Sequence, residues 1–177
     1  MLLQNLRDIC KERNVPIISI QTEEFLRQHL ETHKPKYCLE IGSAVWYSTL
    51  FIASIIQKRN WQIISFEISY AGYLQALQHI KSAWATNITL YPFDFTTIDV
   101  RKCVTRKCDF VFVDGQKSQY DIYMWKIENI VDEDSTIIID DVIKYKTKSI
   151  KLYEYLAKKQ INYQVLPMEE GDGIIVI

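Results

Sequence analysis

Two short acidic segments of the 177-residue chain could do chemistry together. Asp114-Gly115-Gln116-Lys117 follows the apolar run Asp109-Phe110-Val111-Phe112-Val113, and Asp140-Asp141 follows Thr136-Ile137-Ile138-Ile139. Both runs read as strands buried on two faces, so Asp114, Asp140 and Asp141 fall at the carboxyl ends of two strands expected to be neighbours. Carboxylates that converge there repel and raise one another's pKa values. A divalent cation removes that penalty, and an oxygen-only donor set suits Mg²⁺, Mn²⁺ or Ca²⁺. Lys117 stands three residues past Asp114, at the mouth of the same cleft. A lysine beside a metal can have its pKa lowered and act as a general base. The plainer reading is that these acids cap the helices that follow, as aspartate does well.

A second pair of strand ends points to a different ligand. Glu40-Ile41-Gly42-Ser43-Ala44 ends one strand, and Phe66-Glu67 ends the next. Gly42 permits a tight turn and a close backbone approach. The dinucleotide fingerprint GxGxxG is absent, which disfavours a pyrophosphate cradle. One glycine plus an acid suited to ribose hydroxyls fits a nucleoside without phosphates. Against this, Gly42 can be a turn residue alone and Glu67 a solvated helix start.

The elements that must position these residues alternate. Strands are expected at Lys36–Ile41, Gln62–Phe66, Asn87–Tyr91, Asp109–Val113 and Thr136–Ile139. Helical spacing covers Leu2–Arg13, Thr22–His33, Trp46–Arg59, Tyr70–Ala85, Ser118–Ile130 and Thr147–Lys159. Thr22 with Glu23 and Glu24 reads as a helix start. Strand–helix alternation predicts an α/β fold with a mostly parallel sheet, right-handed crossovers and helices on both faces. Asn162–Pro167 and Gly173–Ile177 flank a short polar turn, so the C-terminal strand should be antiparallel, at or near the sheet edge. That makes seven strands. Ligands in such sheets bind beyond the carboxyl ends of the strands.

Composition narrows the class. The chain has 21 Lys+Arg against 22 Asp+Glu and is 48% hydrophobic, which excludes a disordered chain and argues against a wholesale polyanion binder. Its length predicts a single domain, 1–177, with N-terminal helices in 1–34 and the core in 35–177. Cys10, Cys38, Cys103 and Cys108 form no CxxC pair, as is ordinary in a reduced, cytoplasmic protein. The N-terminus is charged too early for a signal peptide. The uncharged run Ile41–Gln57 is short for a membrane span and carries Gly and Ser, so it is expected to be loop plus buried helix, with no membrane contact.

Taken together, these residues resemble the cation-dependent O-methyltransferases, a family that includes the catechol and caffeoyl-coenzyme A enzymes and bacterial relatives that methylate 5-hydroxyuridine in tRNA. The likeness runs from about Val15 to Ile177. It rests on Pro35–Ala44, Tyr47-Ser48, the step from Glu40 to Glu67, and Gly171-Asp172-Gly173. Its most specific element is Asp114, Lys117 and Tyr120 followed by Asp140-Asp141. The resemblance implies a Rossmann-like class I methyltransferase fold that uses S-adenosylmethionine and a divalent cation. It implies donor contacts at Glu40, Gly42, Ser43, Ser48, Glu67, Asp94, Phe95 and Asp114. It implies metal ligands at Asp114, Asp140 and Asp141, and Lys117 as the base. Members are often dimers, so the resemblance admits a homodimer.

Three residues depart from the family pattern. Trp46 stands where a second glycine is usual, and could shape the donor pocket or obstruct it. Asp141 replaces the usual Asn and adds a negative charge. Gly115 removes a side chain beside the metal. The expected acceptor is a small catechol-like hydroxyl compound. Two alternatives are hydroxyuridine in tRNA and a degenerate donor-binding protein without catalysis. From Lys144 to Lys159 six lysines stand against one glutamate, interleaved with Tyr145, Tyr153 and Tyr155, and Arg101, Lys102, Arg106 and Lys107 form a second cluster. Such patches suit phosphate contacts and base stacking, although a solvated helix face reads the same way. His29 and His33 are expected at the surface, and Trp61, Trp84 and Trp125 in packing.

Overall fold

Apolar runs and amphipathic stretches become the strands and helices of one α/β unit. A computed structural model describes residues 2–57, 61–83 and 85–177. Its elements are α1 (Leu2–Glu12), α2 (Ile20–His33), β1 (Tyr37–Ile41), α3 (Tyr47–Ile56), β2 (Gln62–Phe66), α4 (Tyr70–Ser82) and β3 (Ile88–Tyr91). They continue with β4 (Cys108–Val113), α5 (Tyr120–Ile127), β5 (Val131–Ile139), α6 (Ile150–Lys159), β6 (Gln164–Pro167) and β7 (Gly173–Val176). The seven strands form one sheet in the order β3-β2-β1-β4-β5-β7-β6. Strands β1 to β5 pair in parallel, and β7 runs antiparallel to both β5 and β6. The final strand therefore lies one place in from the edge, which β6 occupies. Strand order reverses between β1 and β4, where an open α/β sheet leaves a crevice.

Side-chain alternation on the central strands explains their unbroken apolar sequence. Val111 and Val113 of β4 face a core shared with α5 and α6, including Tyr120, Met124, Ile127, Leu152 and Leu156. Phe110 and Phe112 face the opposite core, with Leu26, Leu30, Phe51, Ile52 and Ile56. Helix α3 is buried along most of its length, because the uncharged run Ile41–Gln57 is the end of β1, a loop and this helix. Among the described residues no helix is long and apolar enough to cross a membrane.

The N-terminal helices are tied down by polar contacts. Helix α2 starts two residues before Thr22: the Ser19 hydroxyl accepts from the Thr22 amide at 2.9 Å and caps it. Arg7 of α1 donates to Glu23 of α2 and, at 3.1 Å, to the Tyr47 hydroxyl of α3. That hydroxyl in turn donates to Glu23 at 2.6 Å. His29 is half-buried rather than at the surface. Its ring stacks on His33 at 4.2 Å, and burial followed by the His33 charge lowers its pKa to about 4. Trp125 is exposed on α5. Trp84 and the expected helix end at Arg59 lie outside the described residues.

Two features beneath the crevice generate predictions. Glu40 is fully buried and accepts from Ser48 at 2.5 Å, from Ser65 at 2.6 Å and from Thr49. Burial raises its pKa to about 7, against the lowering effect of those hydroxyls. The folded chain thus binds a proton that the unfolded chain has released above its ordinary value of 4.5. The stability so contributed is complete below that value and is lost as pH rises through about 7, about 3 kcal/mol for this one group. Denaturant unfolding from pH 5 to 8 should therefore show stability falling with pH, and falling less in Glu40→Gln; an identical slope in the variant contradicts this. Gly42 has φ +97°, and a Cβ there would lie 2.5 Å from the Asp114 carbonyl oxygen. Gly42→Ala should cost about 2 kcal/mol or more, read as a lower denaturation midpoint; an unchanged midpoint would show that the two strand ends can part freely.

Candidate active site

The register of β4 on β5 pairs Val113 with Ile139, so Asp114 and Asp140 leave the sheet side by side. Both turns are pinned to the sheet. The Asp114 amide donates to the Ile41 carbonyl at 2.9 Å, and the Asp140 amide to that of Val113 at 2.9 Å. The Lys117 ammonium lies between two acids, 2.7 Å from Asp114 Oδ1 and 2.6 Å from Asp141 Oδ2. Asp141 has φ +62°, a left-handed conformation that aspartate tolerates better than most residues. Asp140 is buried, and its Oδ1 accepts from the Asp141 amide at 3.0 Å. The Asp-x-x-Lys-x-x-Tyr spacing also acquires a physical meaning. A 3₁₀ turn over Lys117–Gln119 leads into α5, and the Tyr120 hydroxyl donates to the Asp140 carbonyl at 3.0 Å. Lys117 and Tyr120 thereby hold the two acidic segments to each other.

The electrostatics follow from burial and crowding. Asp140 is pushed well up by burial, then by the charges of Asp114 and Asp141. Asp114 is raised by burial despite Lys117. Asp141 rises to about 6 through burial and a hydrogen bond with Asp172, whose own pKa is lowered by that bond despite burial. Burial opposes the Lys117 charge, but Asp114 and Asp141 outweigh it and raise its pKa. In this ionic arrangement Lys117 holds its proton, opposite to the lowered pKa expected from the sequence. Among the described residues no three His, Cys, Asp or Glu side chains stand close enough to hold an ion. Lys117 engages one oxygen each of Asp114 and Asp141, and Asp140 engages a backbone amide. The donor chemistry still fits a hard divalent cation: the oxygens are all carboxylate, and one ammonium is set against Asp114, Asp140 and Asp141.

This acidic rim is one wall of a cleft of about 340 Å³. Apolar residues line it as well, Pro16, Ile17 and Ile18 from the loop before α2 and Met168 before β7. Lys144, Tyr145 and Asp172 also line it, as do Ser19, Thr22, Ala44 and Glu169. No local signal marks the N-terminal loop as a cleft wall, since its proximity depends on how α1 and α2 dock.

Across Gly42 lies a narrower cleft of about 60 Å³. Its walls include Gly42, Glu67, Asp94, Phe95, Gly115 and Tyr123. Filled small-molecule sites are usually about 300–1,000 Å³, so a nucleoside has to spread the side chains at its mouth, exposed Phe93 and Gln116 among them. Glu67 accepts from the Ala44 amide and from the Ser69 amide, each at 2.7 Å, and retains a lone pair on each oxygen. One oxygen of Asp94 accepts from the Thr96 amide and hydroxyl. Among the described residues the buried Ser43 hydroxyl has no hydrogen-bond partner. Such an orphan beside a glycine turn fits a polar ligand group. Gly115 is required locally, since a Cβ there would lie 2.9 Å from the Tyr123 ring. Of the expected donor contacts, Gly42, Glu67, Asp94 and Phe95 share this cleft, with Ser43 beside it. Asp114 lines the wider cleft, and Ser48 and Glu40 are hydrogen-bonded to each other in the core. Trp46, with φ +58°, turns its buried indole onto His79 of α4 at 4.6 Å, and so lies against the helix layer rather than in either cleft.

Known proteins share this architecture. The structure of the Podospora anserina methyltransferase PaMTH1, bound to S-adenosylhomocysteine, superposes with a TM-score of 0.84 at 18% identity, covering 99% of this chain and 86% of that one. The Bacillus cereus O-methyltransferase, also solved with S-adenosylhomocysteine, gives 0.80 at 19% identity, covering 99% and 89%. Tapetum-specific methyltransferase 1 of Arabidopsis thaliana is 25% identical over 157 residues, which is 82% of this chain and 65% of that protein. The O-methyltransferase family model matches residues 1–170, and the chain belongs to that family.

Proposed function

We propose that the chain transfers the methyl group of S-adenosylmethionine to an ionised hydroxyl of a small catechol-like acceptor. The observation that carries this reading is a pair of clefts lined from the same two turns, the narrow one by Gly42 and Gly115 with Glu67 and Asp94, the wide one by Ala44 and Asp114 with Lys117, Asp140, Asp141 and the apolar Pro16, Ile17 and Ile18. The free lone pairs of Glu67 would take ribose hydroxyls, and Asp94 and Phe95 would meet the adenine. Ser43 would take a polar group of the methionine portion. Pro16, Ile17, Ile18 and Tyr145 would hold the acceptor ring flat against the acidic rim. The S-adenosylhomocysteine in the related structures supports the choice of donor.

The reaction breaks the sulfonium–methyl bond and forms an oxygen–methyl bond, leaving S-adenosylhomocysteine. Asp114, Asp140 and Asp141 would hold a divalent cation, Mg²⁺, Mn²⁺ or Ca²⁺, which when bound favours the ionised form of an acceptor hydroxyl. With Asp114 and Asp141 turned to a cation, the charges that hold the Lys117 ammonium would no longer do so; Lys117 would release its proton to solvent and, as the neutral amine, accept the hydroxyl proton. Alignment of the two clefts supplies the rest, since positioning alone can lower a barrier by several kcal/mol, roughly 7–11 at best.

A second reading, an RNA acceptor, is favoured by one observation. Lys144 and Tyr145 line the acceptor cleft, Lys148 stands over the Tyr145 ring at 5.0 Å, and Lys146, Lys148 and Lys151 are all exposed.

Two predictions follow from these readings. With catechol and Mg²⁺, methyl transfer from radiolabelled donor should occur and should be lost with chelator. It should fall roughly 10²-fold or more in Lys117→Ala and Asp140→Ala, while calorimetry shows S-adenosylhomocysteine still bound. Undiminished transfer in both variants contradicts the mechanism, and donor binding with no transfer to any hydroxyl acceptor marks a degenerate relative. If RNA is the acceptor, tRNA bearing 5-hydroxyuridine should be methylated at a rate that drops steeply with salt, and more gently in a triple variant of Lys146, Lys148 and Lys151 to Ala. Salt-independent transfer rules that reading out.

A further inference from the structure

A third cavity lies at the opposite end of the sheet. Its walls include the first residues of three strands, Tyr37 of β1, Gln62 of β2 and Cys108 of β4, and it measures about 360 Å³, as roomy as the acceptor cleft. Strands of five residues put it roughly 16 Å from the acidic rim, and its lining shares no residue with either cleft.

Its lining combines two kinds of group. Trp61 and Tyr37 supply aromatic surface, and Lys36 and Arg106 supply positive charge. Arg106 lies over the Tyr37 ring, 5.0 Å from the centroid, and donates to its hydroxyl. Two other members of its basic cluster are ion-paired, Arg101 with Asp99 and Lys107 with Asp132. Among the described residues neither Arg106 nor Lys36 forms an ion pair. The nearby carboxylate, Asp109, accepts instead from the backbone amides of Lys36 and Tyr37. Cys38 and Cys108 also line it, and burial holds their thiols protonated, Cys108 at about 12.

We infer that this cavity is a second binding site, for a planar aromatic anion of the size of a nucleoside monophosphate. The ring would stack on the aromatic walls, and the phosphate would take the free donors of Arg106 and the Lys36 ammonium. Arg106 is preoriented by Tyr37, which reduces the entropy lost when it grips an anion. This inference is independent of the methyl-transfer reading.

Calorimetry with AMP, adenosine and inorganic phosphate, at low salt and in saturating S-adenosylhomocysteine, tests it. AMP should bind at one site, with adenosine and phosphate each at least about tenfold weaker. Arg106→Ala and Lys36→Ala, both at exposed positions, should each weaken AMP about tenfold. Donor-product binding should stay unchanged in both variants. No AMP binding at about 5 mM, adenosine binding as tightly as AMP, or full AMP affinity in Arg106→Ala overturns the site. Should S-adenosylhomocysteine itself fail to bind, the methyl-transfer reading falls, and the Arg106 comparison still decides this one.

Discussion

The Lys117 ammonium, held between Asp114 and Asp141, is the interaction on which the candidate site depends. Asp140 and Asp172 crowd the same rim, so acid outnumbers base in a partly buried space. The pKa of the acids Asp114, Asp140 and Asp141 rises, and that of the lysine rises with them. A rim in this state is short of positive charge. It can be completed by protons or by a cation with more charge than lysine carries, and the second route also frees Lys117.

The backbone around that rim is built to keep the clefts adjacent. Gly42 lets β1 approach the Asp114 carbonyl closer than any side chain would allow. Beneath the turn, Glu40 gathers Ser48, Thr49 and Ser65, fastening α3 and β2 to β1. The register of β1 on β2 places Ser65 directly beside Glu40. On the other side, the Tyr120 hydroxyl ties the start of α5 to the end of β5. The loop geometry is thus fixed by buried polar contacts on a rigid sheet, which suits a site that must align two ligands.

The central strands were legible in the sequence because burial on both faces leaves almost no polar residue in β4 or late β5. The early part of β5, Val131-Asp132-Glu133-Asp134-Ser135, looks like a turn by composition; Val131 pairs with Cys108, the register then shifts before Thr136 joins Phe110, and within the segment the Asp132 amide donates to the Ser135 hydroxyl at 2.8 Å. The start of α2 was misplaced because Thr22 and Glu23 look like a cap, whereas the capping hydroxyl is Ser19. In the site, Asp114, Lys117, Asp140 and Asp141 were legible because strand ends converge by topology. The hydroxyl network of Glu40 was not, since Ser48 and Ser65 meet it only once register and helix docking are set. The direction of the Trp46 indole depends on its left-handed backbone and on His79, neither of which a local motif reveals.

The central claim is that the acidic rim binds a divalent cation and releases Lys117. A crystal structure with S-adenosylhomocysteine and Mn²⁺, phased to show anomalous scattering, tests it most directly. The account predicts a manganese peak within coordination distance of Asp114, Asp140 and Asp141, with the Lys117 ammonium displaced from both of its present partners. A structure with the donor product bound, no anomalous peak at the rim and Lys117 still between Asp114 and Asp141 would contradict it.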